Sequence, residues 1–141
     1  KWVASLVLCT VMLAGTLVFT GVLAYYGDPD WGTVATSYLA LFLCSAAFCA
    51  AGLFASSLTR DQVAAGLAGI IILLPFWLIG QAASLTDHPG LASVLEKAAF
   101  LTHLRSFTRG VIDTADIVYF VGFIFVFLFL TYRTLESRRW R

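Results

Sequence analysis

Three long stretches of the chain contain no charged residue: residues 2–26, 33–58 and 63–85. A helix rises 1.5 Å per residue, so each stretch is long enough to cross a hydrocarbon core of roughly 30 Å. A fourth apolar run, at about residues 115–135, is rich in phenylalanine and carries charges only near its ends. Only 12% of all residues are charged, about half of what a soluble domain uses to cover its surface. We therefore predict an all-helical, polytopic protein of the lipid bilayer with four transmembrane helices.

Residues 91–112, just before the last apolar run, have a different character, because charges reappear there among apolar residues at helical spacing. Such a segment is too polar to span a membrane and too apolar to lie free in water. We predict that this amphipathic segment lies in the membrane interface, or dips into it, as one or two short helices. Its polar side chains either form local ion pairs or line an external gate, and the candidates for that gate are His103, Arg105, Arg109 and Asp113.

The distribution of charge predicts how the chain is oriented, since lysine and arginine are retained on the cytoplasmic side. With four spans, the two termini and the turn after the second span share one side of the membrane. That side holds six basic and two acidic residues, a net +4, whereas the other side holds three basic and six acidic residues, a net −3. Both termini are therefore expected in the cytoplasm.

The sequence has none of the motifs by which proteins bind nucleotides or hydrolyse substrates. Ionisable groups at membrane depth are costly and therefore conspicuous, and the interiors of the four runs contain no Asp, Glu, Lys, Arg or His. This argues against an intramembrane enzyme and against an ion-coupled carrier. The basic C-terminal tail is too short for a nucleic-acid-binding surface, and the three cysteines lack metal-ligand spacing, so neither nucleic acid, metal nor cofactor is expected.

Two features of the spans concern packing. Ala47, Ala51 and Ala55 are spaced four residues apart on one face of the second helix. Small residues in that pattern allow helices to approach closely, either within one subunit or at a dimer face. Pro75 lies near the middle of the third run, where the missing N–H and the ring are expected to kink the helix.

The predicted cytoplasmic corner between the second and third spans consists of Thr59, Arg60, Asp61 and Gln62. It is either a plain capped turn or a contact point for a cytoplasmic motor protein.

Three segments together resemble ABC type-2 permeases, in particular the bacterial subfamily of gliding-motility and nitrous-oxide-reductase-maturation permeases. Residues 27–32 (GDPDWG) are similar to that subfamily's first external turn, and residues 52–62 are similar to its GLF.SSLT..Q passage. Residues 103–113 are similar to its H...F.RGVID segment. The similarity extends over nearly the whole chain.

The resemblance implies that the four spans are the last four of a six-helix permease in the bacterial cytoplasmic membrane. Such permeases form homo- or heterodimers and bind cytoplasmic ABC ATPase subunits, whose hydrolysis of ATP drives transport. It also makes residues 59–62 the candidate contact for that ATPase and residues 91–112 an amphipathic external helical hairpin before the last span. The expected function is that of the transport subunit of an exporter rather than that of an enzyme. The alternative is a non-transporting membrane anchor or scaffold for a cell-surface machine.

Overall fold

The computed structural model describes residues 1–140, and every regular element in that range is a helix. Four helices there are long and apolar enough to cross a membrane. This confirms the prediction of an all-helical chain with four helices of that kind, and it indicates a membrane protein. The six helices are α1 (Trp2–Tyr26), α2 (Trp31–Leu58), α3 (Gln62–Leu85), α4 (Pro89–Ala98), α5 (Phe100–Thr108) and α6 (Thr114–Arg139).

Acidic side chains define where α2 and α6 begin. Asp30 caps α2 by accepting hydrogen bonds from the Gly32 amide at 3.1 Å and from the Thr33 hydroxyl at 2.7 Å. Because these bonds stabilise the carboxylate, they hold the pKa of Asp30 below its ordinary value, the Thr33 hydroxyl having the larger effect. Asp113 caps α6 in the same way through the amide of Ala115 at 3.1 Å. The caps place the helix starts one or two residues before the apolar runs.

Helix α2 lies at the centre of the fold and contacts α1, α3, α5 and α6. It runs antiparallel to α1 and α3, to which short turns connect it, and parallel to α6. The parallel arrangement is fixed at both ends: Thr33 approaches Gly110, just before α6, and the Arg138 guanidinium donates to the Leu58 carbonyl at 2.7 Å. The chain therefore has two distinct ends, one with residues 26–32 and 85–116 and the other with residues 58–62 and 133–140.

The core is formed where a face of small residues on α2 meets phenylalanines from α5 and α6. Phe107 and Phe120 are the largest side chains that are fully buried. The Phe120 ring packs edge-on against Phe100 with centroids 5.0 Å apart, and tilted against Phe107 with centroids 6.3 Å apart. The buried members of this cluster are Ala40, Ala47, Ala50, Ala51, Phe100, Phe107, Phe120, Phe123 and Phe127.

Helices α1 and α3 are the least covered of the long helices. α1 has no buried residue, and in α3 only Ala83 is buried. Their leucine, isoleucine and valine side chains are widely exposed on the surface of the single chain. Water would make this surface very costly, whereas acyl chains solvate it, as expected for helices in a membrane.

The short helices α4 and α5 cover the end of α3. α4 packs on α3, and α5 packs on both α2 and α3. The two are joined at Ala99, which has an extended backbone and a fully buried side chain. A Cβ on Gly80 would lie 3.5 Å from the Cβ of Ala99, which is van der Waals distance, so this junction packs directly on α3.

Candidate functional site

A histidine and a buried aspartate meet at the start of α6. The Nδ1 atom of His103, on α5, contacts the Oδ1 atom of Asp116 in a short hydrogen bond. The Nε2 atom of the same ring lies 2.8 Å from the carbonyl oxygen of Lys97, near the end of α4. One imidazole ring thus connects three helices, α4, α5 and α6.

The local backbone explains why these groups meet. Gly110 follows α5 with a φ of 78°, a left-handed conformation that turns the chain sharply toward α6. Phe107 on α5 and Phe120 on α6 are both fully buried and pack against one another, which holds the two helices together. Asp116 lies one helical turn before Phe120, on the same face of α6, and so it points back toward α5.

Both ring nitrogens of His103 have an oxygen atom as partner. These partners are Oδ1 of Asp116 and the carbonyl oxygen of Lys97. Because both nitrogens are engaged, the orientation of the imidazole ring is fixed relative to α4 and α6.

Tyr119 covers the exposed side of the pair. Its ring stacks on His103 with centroids 4.1 Å apart and planes 21° from parallel. Its hydroxyl donates to the carbonyl of Ala98 at 2.9 Å, so the same side chain also ties α6 to the end of α4. Tyr119 therefore covers one face of the His103 ring and adds a second link between α6 and α4.

One carboxylate oxygen of Asp116 has no hydrogen-bond partner among the residues that the structure describes. The residue is 5% exposed, and its Oδ2 atom makes no hydrogen bond within residues 1–140. Its position in the first turn of α6 partly offsets the cost of burying this charge, because the N-terminus of a helix is the positive end of its dipole.

The four predicted gate residues do not form one cluster. His103 is bound to Asp116 rather than to Asp113, which instead caps α6. Arg105 is exposed and lines a small cleft against α3, and Arg109 is exposed at the end of α5. Among these four, the structure brings only His103 into a buried polar contact.

The predicted corner at residues 59–62 is a short, solvent-accessible turn at the opposite end of the bundle. Arg60, Asp61 and Gln62 are exposed, and the Thr59 hydroxyl donates to the Asp61 carbonyl at 3.3 Å. Because Arg138 binds the adjacent Leu58 carbonyl, the end of α6 lies next to this corner.

The predicted packing face is used inside the chain. Ala47, Ala51 and Ala55 have no exposed surface, which leaves nothing of these side chains for contact with a second subunit. Ala55 lies 3.7 Å from the position that a Cβ on Gly69 would occupy, so α2 and α3 approach closely there. Pro75 lies within the continuous helix α3 and is exposed.

His103 and Asp116 form a polar link between helices. Both nitrogens of His103 are hydrogen-bonded to oxygen atoms of neighbouring helices. Within residues 1–140, no three His, Cys, Asp or Glu side chains come close enough together to hold a metal ion. We refer below to the His103–Asp116 pair, which joins α5 to α6, as the latch.

Asp116 and Tyr119 are not among the site residues that the sequence predicts. The local ion pairs offered there as the alternative to a gate describe the His103–Asp116 contact. The spacing also points to both residues, because positions 116, 119, 120 and 123 follow the three- and four-residue steps of one helical face.

Comparisons of the chain with models of known protein families, with curated proteins and with solved structures found no match.

Proposed function

We propose that this chain is the membrane-spanning part of an ABC exporter permease in the bacterial cytoplasmic membrane. A separate ATPase subunit binds its cytoplasmic side and supplies the energy, and a second permease subunit completes the transport path. The four apolar helices and the resemblance of three segments to type-2 permeases support this function. The excess of basic residues at the end with residues 58–62 and 133–140 supports a cytoplasmic location for that end.

The main support is that one helix, α6, contacts both candidate sites, which are the corner at residues 59–62 and the latch at the opposite end of the bundle. At one end of α6, Arg138 holds the carbonyl of Leu58 beside the exposed corner. At its other end, Asp116 holds His103 of α5. A displacement that an ATPase imposes on the corner is therefore passed through α2 and α6, which are packed in parallel, to α4 and α5.

In this proposal α4 and α5 form an external hairpin that opens and closes the path. The His103–Asp116 latch keeps the hairpin attached to α6, so that the two move as one unit. A buried hydrogen-bonded pair suits this role, because it has one well-defined geometry and is costly to break, whereas apolar contacts tolerate sliding.

The test is reconstitution of the full-length permease in vesicles with a candidate ABC ATPase, for which any ATPase gene found beside the permease gene is the first choice. Transport predicts that ATP hydrolysis requires the permease and rises when the transported substrate is present. The double substitution Arg60→Glu with Asp61→Lys inverts the charges of the corner at constant net charge, and it should weaken co-purification of the ATPase.

A matched control makes the same exchange at the other end of the bundle. Glu96 and Lys97 are adjacent, exposed and oppositely charged, and Glu96→Lys with Lys97→Glu keeps the net charge as well. This variant should retain the ATPase. Equal retention of the ATPase by both double variants would refute the contact at residues 59–62. Hydrolysis that is unchanged when the permease is omitted would refute transport and favour the anchor or scaffold function.

A further inference from the structure

A continuous stripe on α3 changes from apolar to polar along its length. The residues in this stripe follow the three- and four-residue steps of one helical face. In its first half the stripe faces a groove between α2, α3 and α5, and in its second half it faces a cleft between α3 and α5. The stripe consists of Ile70, Leu74, Trp77, Gln81 and Ser84.

The groove is lined only by apolar and aromatic side chains and has a volume of about 290 Å³. Ile70, Leu74 and Trp77 are exposed along it, at 61%, 46% and 51% respectively. Phe48 and Phe100, which stack with centroids 5.2 Å apart, form its wall. A flexible apolar chain that lies in the groove therefore contacts α3 along its length and the rings of Phe48 and Phe100 at its wall.

The cleft next to it is polar and has a volume of about 120 Å³. Gln81, Ser84 and Thr102 contribute hydrogen-bonding groups to its lining, and Arg105 contributes a positive charge. Within residues 1–140, Arg105 has no carboxylate oxygen within 4.0 Å, since the one pair that meets this distance there is His103–Asp116. A guanidinium is the side chain best matched to phosphate, which it binds through two parallel hydrogen bonds.

The length of the apolar part of the stripe matches the thickness of one membrane leaflet. Eleven residues separate Ile70 from Gln81, which corresponds to about 16 Å along the helix axis. One leaflet accounts for about half of a hydrocarbon core of roughly 30 Å. The polar cleft lies in the last turns of α3, which ends at Leu85, and so it is at the level of the headgroups. Trp77 lies where the groove meets the cleft, and tryptophan is enriched near the membrane interface.

We propose that this groove and cleft together bind one glycerophospholipid, with an acyl chain along residues 70–77 and the phosphate at Arg105. The site does not depend on the transport function proposed above, because it requires only that α3 lies in a membrane. A phospholipid seated there would bridge α3 and α5, the same α5 that the His103–Asp116 latch connects to α6.

The experiment measures quenching of Trp77 fluorescence by lipids with brominated acyl chains. Trp2, Trp31 and Trp140 are replaced by phenylalanine, and the chain is placed in vesicles of an unbrominated neutral glycolipid. Brominated phosphatidylglycerol is then titrated against a brominated glycolipid with the same acyl chains but no phosphate. We expect half-maximal quenching at roughly tenfold less phosphatidylglycerol, since one charge-assisted hydrogen-bonded contact is typically enough for that factor.

Two pairs of variants assign the effect to the two parts of the site. Arg105→Gln should abolish the preference for phosphatidylglycerol, whereas Arg109→Gln, an exposed arginine one turn further on, should keep it. Leu74→Phe narrows the groove and should raise the amount of phosphatidylglycerol required several-fold relative to Ile71→Phe, which alters an exposed residue outside the lining.

Native mass spectrometry of the unsubstituted chain provides a second measurement that does not depend on the tryptophan replacements. It should detect retained phosphatidylglycerol in preference to the glycolipid. Equal quenching and equal retention of the two lipids would overturn the proposal and identify the groove as ordinary lipid-facing surface. Loss of the preference in Arg109→Gln as large as that in Arg105→Gln would overturn the assignment to the cleft. Competition by glycerol phosphate at concentrations as low as those of phosphatidylglycerol would show that the acyl chains add nothing, and it would overturn the role of the groove.

Discussion

The latch between His103 and Asp116 predicts a strong energetic coupling between two residues that are thirteen positions apart in the sequence. Replacing Asp116 by alanine leaves a partly buried imidazole without its charged partner, and replacing His103 leaves a carboxylate that is 5% exposed without its donor. Removing one member of a buried pair costs about 3 kcal/mol of unfolding free energy. We expect a loss of about that size in Asp116→Ala and in His103→Ala.

The double variant separates the energy of the His103–Asp116 interaction from the other effects of each single substitution. Once one partner is absent, removal of the other relieves an unpaired polar group, so the two losses do not add. A hydrogen bond to a charged group contributes roughly 1.5–3 kcal/mol, and we expect the double variant to be more stable than the sum of the single losses by about 2 kcal/mol. His103→Ala also removes the stacking on Tyr119 and the bond to the Lys97 carbonyl, so this single loss should be the larger of the two.

The assay is a double-mutant cycle measured by far-UV circular dichroism, with the chain unfolded in mixed micelles by increasing mole fractions of sodium dodecyl sulfate. Asp87 and His88 provide the control, because they are also an aspartate and a histidine at the same end of the bundle, yet both are exposed. Their alanine variants should each lie within about 0.5 kcal/mol of the unsubstituted chain and should be additive. A coupling below about 0.5 kcal/mol between His103 and Asp116 would refute the latch.

Three further predictions concern the packing of the bundle. Gly110→Ala should lower the unfolding free energy by roughly 1–2 kcal/mol, because Gly110 has a φ of 78° and an added Cβ would lie 3.0 Å from the hydroxyl oxygen of a neighbouring threonine. Gly90→Ala, where an added Cβ meets nothing within 4 Å, should be neutral. Equal losses for the two variants in the same unfolding assay would contradict this. Ala51→Leu should cost about 1–3 kcal/mol in that assay, since Ala51 is fully buried between helices, and a loss near zero would show that this face is not packed. Oxidation with copper phenanthroline should join Cys9 to Cys49, whose sulfur atoms are 3.8 Å apart. One of the three thiols then remains open to alkylation. Three alkylated thiols after oxidation would contradict the packing of α1 on α2.

Much of the fold follows from the sequence because the relevant signals are local. The three charge-free runs and the phenylalanine-rich run predict four apolar helices, and the structure has four helices that are long and apolar enough to span a membrane. The acidic residues before two of these runs mark where the helices start, since Asp30 and Asp113 cap them through their own side chains. Such signals depend only on the length of a run and on side chains within a few residues.

The partners of the polar residues could not be predicted, because they depend on how distant segments pack. The charges of the amphipathic segment allow either local ion pairs or an external gate that contains Asp113, and they do not specify that His103 binds Asp116. That choice is set by the sharp turn at Gly110 and by the packing of Phe107 on Phe120, neither of which is encoded by the local pattern of charges. Similarly, the spacing of Ala47, Ala51 and Ala55 predicts a close approach of helices but not which helix approaches.

The central claim is that hydrocarbon surrounds the four long helices, so that consecutive connections alternate between the two sides of the membrane. It is tested most directly by single cysteines introduced at Asp28, before α2, and at Ser137, near the end of α6, in a variant that lacks the three native cysteines. Labelling of intact cells with a membrane-impermeant maleimide should modify the cysteine at position 28 and leave that at position 137 unmodified until the cells are opened. Labelling of both positions from the same side of the membrane would contradict the topology and the permease function that depends on it.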